Sequence, residues 1–175
     1  MFMVIARTLL NAEAKRGFTI QELIFNLNNS LAKNNDTSMF ATFFCAILNV
    51  KTGELQMVNA GHNPPAIGMS GIGFEYVKTE QNIALGVLED FVFVPSVLKL
   101  EKGTKIFLYT DGVTEAFNKN NEVFSEERLL SVLNNCQTDG SFQLVQKIQQ
   151  EIKNFTFDTE QSDDITILAV TYHGT

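Results

Sequence analysis

The sequence predicts an α+β fold in which helices cover antiparallel sheet. Three observations carry this. Two helix-like segments open the chain, a run of short apolar segments divided by turn residues follows, and two more helical segments precede a last strand. Helices and strands kept in separate blocks are the pattern of α+β domains.

Residues 1–16 contain no Gly or Pro and are rich in Ala and Leu, so they read as a helix. The density of apolar residues suggests burial on more than one face. Gly17 follows Lys15 and Arg16 and is placed to end it. Thr19-Ile20-Gln21-Glu22 is a capping box for a second helix with Leu23, Leu27 and Leu31 on one face. That helix ends in the polar run Asn34-Asn35-Asp36.

Met39 to Val50, rich in β-branched and aromatic residues, reads as a strand. Lys51-Thr52-Gly53-Glu54 turns it into Leu55 to Ala60. After the break at Gly61-His62-Asn63-Pro64-Pro65 come short strand candidates at Ala66–Met69 and Phe74–Val77. Phe91–Leu100 is a further candidate, interrupted by Pro95, and Thr104–Tyr109 the next. Helices are expected from Ser125, carrying Leu129, Leu130 and Leu133, and from Ser141, carrying Leu144, Val145, Ile148 and Ile152. Asp164 to Tyr172 is the last strand.

At 175 residues the chain is long enough for one domain with a substantial core. A net charge of -7 with scattered basic residues argues against a nucleic-acid surface. No apolar run approaches the roughly 20 residues that span a bilayer, and the start lacks the pattern of a signal peptide. Cys45 and Cys136 share no metal-ligand spacing, and two distant cysteines fit a reduced, cytoplasmic setting. Cys45, inside an apolar run, reads as a small core residue.

The stretch with chemical promise is Lys105 to Ala116. An apolar strand delivers Asp111 to a break at Gly112, where the glycine is expected to permit a sharp turn. A second acidic pair, Asp163-Asp164, heads the last apolar run. Two carboxylates at strand ends can serve as hard oxygen ligands for divalent cations. They equally suit a turn and a solvated loop, where Asp is frequent. Other chemistries lack their parts. Neither cysteine has a phosphate-cradling loop with a downstream Arg. Gly68-Met69-Ser70-Gly71-Ile72 fails the serine-hydrolase elbow at its last position. No nucleotide-binding glycine loop is present.

Three motifs in order carry a family resemblance: Asn59-Ala60-Gly61-His62-Asn63-Pro64-Pro65, Tyr109-Thr110-Asp111-Gly112-Val113-Thr114-Glu115-Ala116 and Asp163-Asp164-Ile165-Thr166. Met39-Phe40-Ala41-Thr42-Phe43 and Ala84-Leu85-Gly86 support them. The chain resembles the SpoIIE-like branch of the metal-dependent (PPM) protein phosphatases. The resemblance implies two antiparallel sheets packed face to face and flanked by helices. It also implies hydrolysis of phosphoserine or phosphothreonine by water activated at a pair of Mn²⁺ or Mg²⁺ ions. Asp111 and Asp163 fall on metal-binding positions of the family, and Gly112, Asp164, His62 and Asn63 would line the site. His62 is read as capping its turn rather than as a ligand.

The resemblance also implies a missing part. An earlier Gly-Asp-x-Ser-Gly-His-Gly-like loop, which supplies further ligands in the family, has no counterpart here. Residues 1–175 are therefore expected to be the C-terminal portion of one phosphatase domain with an incomplete two-metal site, inactive or weakly active alone. Self-association through a sheet edge or the Met1–Leu10 helix is expected. The family's setting implies a bacterial signalling protein acting on a phosphorylated anti-sigma-factor antagonist. The alternative is a non-catalytic, phosphatase-like binding module.

Overall fold

A computed structural model describes residues 2–33, 35 and 38–174, the side chains of Phe2 and Met3 aside. Met1, Asn34 and Asp36, which entered the expectations above, lie outside the described residues. The chain forms two compact units, Met1–His62 with Thr79–Lys99, and Asn63–Lys78 with Leu100–Thr175.

The first unit opens with α1 (Phe2–Ala14) and α2 (Ile20–Ala32). Helix α1 stops two residues before the expected Arg16, and Gly17 takes a left-handed φ of 73° just beyond it. Its described side chains cover one face rather than several. Ala6 is buried with Leu9 and Leu10 packed alongside, while Val4 and Ile5 stay exposed. The capping box at Thr19 forms as expected, with Thr19 N–H donating to Glu22 Oε2 at 2.9 Å and Glu22 N–H donating to Thr19 Oγ1 at 3.3 Å. Leu23, Leu27 and Leu31 of α2 are buried against Val58, Ala60, Leu85 and Phe93. Cys45 packs at the edge of this cluster.

The sheet of this unit has the order β1-β2-β5, all antiparallel, from β1 (Phe43–Asn49), β2 (Glu54–Ala60) and β5 (Ser96–Lys99). Strand β1 begins later than Met39. Ahead of it, Ala41 exchanges two backbone hydrogen bonds with Leu85, at 3.1 and 2.9 Å. Strand β5 is much shorter than the expected Phe91–Leu100. The Asn82 side chain takes both backbone groups of Val94, accepting from its N–H at 2.8 Å and donating to its carbonyl at 3.1 Å. With Pro95 supplying no N–H, nothing is left there for a ladder. Phe93 is buried in the core instead. Asn28, fully buried on α2, accepts from Gly86 N–H at 2.9 Å and donates to the Leu88 carbonyl at 2.8 Å. That clip holds the Ala84-Leu85-Gly86 loop to the helix.

The second unit carries a four-stranded antiparallel sheet in the order β4-β3-β6-β7. Its strands are β3 (Ala66–Met69), β4 (Gly73–Tyr76), β6 (Lys105–Tyr109) and β7 (Ile167–Thr171). A single helical turn, α3 (Asp111–Thr114), was not expected from the sequence. Helices α4 (Glu126–Asn135) and α5 (Ser141–Thr156) follow. Leu129, Leu133, Leu144, Ile148 and Ile152 pack on Phe107 and Tyr109 of β6 and on the buried Cys136. Alternation along β7 turns Ile167, Ala169 and Thr171 inward and leaves Leu168 and Val170 exposed.

Candidate functional site

Strand β6 enters the site rigidly. Tyr109 is 2% exposed, and its hydroxyl lies 3.4 Å from Glu126 Oε1, while Tyr76 O–H donates to the Glu126 carbonyl at 2.8 Å. Burial pushes the Tyr76 phenol up to about 12 and the Tyr109 phenol up as well. Both rings are therefore neutral anchors between strand and helix.

The strand hands over at Thr110, which is extended and sits at the N-terminal edge of α3, its side chain making no capping bond to that turn. Thr110 then ties the closing acidic motif to the first one. Its N–H donates to the Thr166 carbonyl at 3.1 Å, its hydroxyl donates to the Asp164 carbonyl at 3.0 Å, and that hydroxyl accepts from Thr166 N–H at 2.9 Å. This explains why β7 starts at Ile167 rather than Asp164. The segment before it is bonded to a side chain and one backbone group instead of a ladder.

Gly112 plays a different part from the expected one. It lies inside a helical turn and has no left-handed φ, so chain reversal is not what requires it. A β-carbon there would sit 2.6 Å from the Asp164 carbonyl oxygen and 3.2 Å from that of Asp163. Only a residue without a side chain lets the two acidic motifs approach this closely.

Asp111 and Asp163 are thereby brought into one region of the second unit, and both are exposed. Asp111 Oδ1 accepts from Gly112 N–H at 3.0 Å, and Asp163 Oδ1 accepts from Asp164 N–H at 2.6 Å. Neither enters an ion pair among the described residues. Gln161, which sequence reasoning missed, donates from Nε2 to the Asp163 carbonyl at 2.7 Å. Nothing in the sequence marks Gln161. Thr110 gave no local signal either, because its hydroxyl bonds Asp164 and Thr166 rather than the turn it precedes.

His62 belongs to the first unit and Asn63 begins the second; both are half-buried. The turn at His62 is closed by Asn59, whose amide donates to the His62 carbonyl at 2.9 Å and accepts from His62 N–H at 2.8 Å. Gly61 supplies the left-handed φ of 74° that this turn needs.

The donors present suit Mg²⁺ or Mn²⁺ in kind, since both are carboxylate oxygens. In number they do not fit a pair of ions. Among the described residues no three His, Cys, Asp or Glu side chains are grouped to hold a metal. Two carboxylates leave most of an octahedral shell to other ligands.

Comparison with known proteins identifies the family and the fold. A family model described as Stage II sporulation protein E (SpoIIE) matches residues 1–173. Protein IcfG of Synechocystis sp. is 31% identical over 138 residues, 79% of this chain and 22% of that protein. Phosphoserine phosphatase RsbU of Bacillus subtilis is 26% identical over 154 residues, 88% of this chain and 45% of that protein. The solved PP2C phosphatase domain of SpoIIE from Bacillus subtilis, with a fragment of its regulatory domain, superposes with a TM-score of 0.80 at 18% identity. It covers 95% of this chain and 48% of the solved one. The chain thus spans less than half the length of each, and its α+β fold of antiparallel sheets and helices is that of the PP2C domain.

Proposed function

The chain belongs to the Stage II sporulation protein E (SpoIIE) family, and from that premise we propose that it carries half of the active site of a metal-dependent serine/threonine protein phosphatase. One observation carries the reading: Gly112 and Thr110 bring the Asp111 and Asp163 motifs together. In this reading Asp111 and Asp163 would hold Mn²⁺ or Mg²⁺, with Gly112, Asp164 and Asn63 lining the site. Such ions, when bound, supply an activated water and neutralise developing charge on the phosphoryl group. The chain's own contribution is positional. The neutral Tyr76–Tyr109 pair fixes β6, Thr110 locks the two motifs in register, and Gln161 holds the Asp163 backbone.

The proposed substrate is a phosphoserine or phosphothreonine on a bacterial regulatory protein, an anti-sigma-factor antagonist by family resemblance, met in the cytoplasm. A second reading, a non-catalytic binding module, is favoured by the absence of a third grouped ligand among the described residues.

Calorimetric titration with Mn²⁺ and Mg²⁺ tests the assignment. Binding by this chain is expected to be weak and to vanish in Asp111→Asn and in Asp163→Asn. Hydrolysis of a phosphoserine peptide is expected to be feeble. Metal binding that survives both substitutions rejects the ligand assignment. Full phosphatase turnover by this chain alone rejects the claim that its site is half of one.

A further inference from the structure

Beside the Asp163 loop the second unit holds a groove of about 460 Å³, a size that takes a ligand or a few side chains. Its floor is apolar, from Phe117, Ile152 and Ile165, and its rim is polar, from the exposed Lys153, Glu160 and Gln161. The walls are built from chain segments next to both acidic motifs. Phe117 follows α3, which Asp111 begins, and the loop from Thr159 to Gln161 runs directly into Asp163. Gln161 is both groove wall and the donor that holds the Asp163 carbonyl.

Two polar groups here lack partners. Thr159 Oγ1 is shut off from solvent with no hydrogen bond, a costly state for a buried hydroxyl. The exposed Lys153 ammonium enters no ion pair among the described residues. The loop is also strained where it leaves α5. Asp158 adopts a left-handed φ of 66°, and its exposed carboxylate lies 3.5 Å from the Lys119 ammonium.

We propose that this groove binds the residues flanking the phosphorylated side chain in a protein substrate, and so selects substrates by an apolar flank. The inference rests on the phosphatase reading and deepens it. An extended peptide suits the lining. Its apolar side chain fills the space above Ile152 and Ile165, and its main-chain groups meet Lys153 and Gln161 on the rim. A peptide seated there touches the residue that holds Asp163, so recognition of the flank and placement of that carboxylate are linked.

The test passes a degenerate phosphoserine peptide library, randomised over a few residues on each side, over the immobilised chain in Mg²⁺ buffer. The retained pool is then sequenced. Apolar residues are expected to be enriched about tenfold at one flanking position, the order of selectivity an apolar pocket gives for a methylene group. Enrichment should disappear in Gln149→Trp, which lays an indole across the groove from an exposed position of α5, and in Lys153→Trp one turn further on. A pool with random flanks, no retained pool, or enrichment indifferent to both tryptophans overturns the proposal. The same library with serine in place of phosphoserine separates the two readings. Phosphate-dependent capture with random flanks removes the groove and leaves the phosphatase. Flank enrichment that ignores the phosphate overturns the claim that the groove serves a phosphorylated substrate and leaves it as a peptide site, while the metal titration still decides the phosphatase reading.

Discussion

A β-carbon placed on Gly112 would lie 2.6 Å from the carbonyl oxygen of Asp164. The obstructing atom is backbone, so it cannot swing aside as a flexible side chain would. Gly112→Ala is therefore expected to push the two acidic motifs apart. It should lower stability by about 1–3 kcal/mol, the usual cost of forcing atoms into a filled site. Urea unfolding measures the loss, and calorimetry with Mn²⁺ should show any metal binding weakened although both carboxylates remain.

Thr110→Val removes a hydroxyl that bonds Asp164 and Thr166 at once. The groups it leaves are partly reachable by water, which puts the expected loss at about 1–2 kcal/mol. Thr110→Ser keeps the hydroxyl and should recover most of it. A loss in Ser with Val tolerated would show that the methyl group, not the hydroxyl, holds the motifs together.

Tyr76 yields a pH prediction. Its ordinary value of 10.0 is raised to about 12 in the fold, chiefly by burial. The folded state thus prefers the neutral phenol. Its contribution to stability is complete below pH 10 and is lost as pH rises through about 12. Tyr109 is raised by the same cause and acts in the same direction. Stability followed by circular dichroism should fall steeply across this window, with phenolate absorbance appearing together with unfolding. Tyr76→Phe should flatten part of the fall, and an unchanged alkaline profile would contradict the assignment.

Strand β7 lies at the edge of its sheet and exposes Leu168 and Val170, at 51% and 38%. An unpaired edge with exposed apolar residues is a template for another chain. Sedimentation velocity is expected to show concentration-dependent self-association, reduced by Leu168→Lys. A monomer at high concentration, or association untouched by the lysine, would count against this edge as the contact.

Local chemistry was readable where neighbours in sequence are also partners in space. The capping box at Thr19 satisfies its own helix end, and Leu23, Leu27 and Leu31 share one face through helical periodicity alone. Ala66–Met69 emerged with the expected bounds because turn residues flank it on both sides. Phe91–Leu100 failed as a single strand because Asn82, remote along the chain, captures the backbone of Val94. No local pattern announces such a contact.

The same division runs through the candidate site. The sequence by itself determined the fold class, the two acidic motifs, their order and the strand that leads to Asp111, because periodicity and turn residues act over a few positions. Only the tertiary structure decided that Gly112 is required by the approach of Asp164 and not by a turn, and that Thr110 is the clasp. It alone revealed the role of Gln161 behind Asp163. The Gly112 and Thr110 contacts join segments some fifty residues apart, which the pairing of β6 with β7 creates and which no short stretch of sequence encodes.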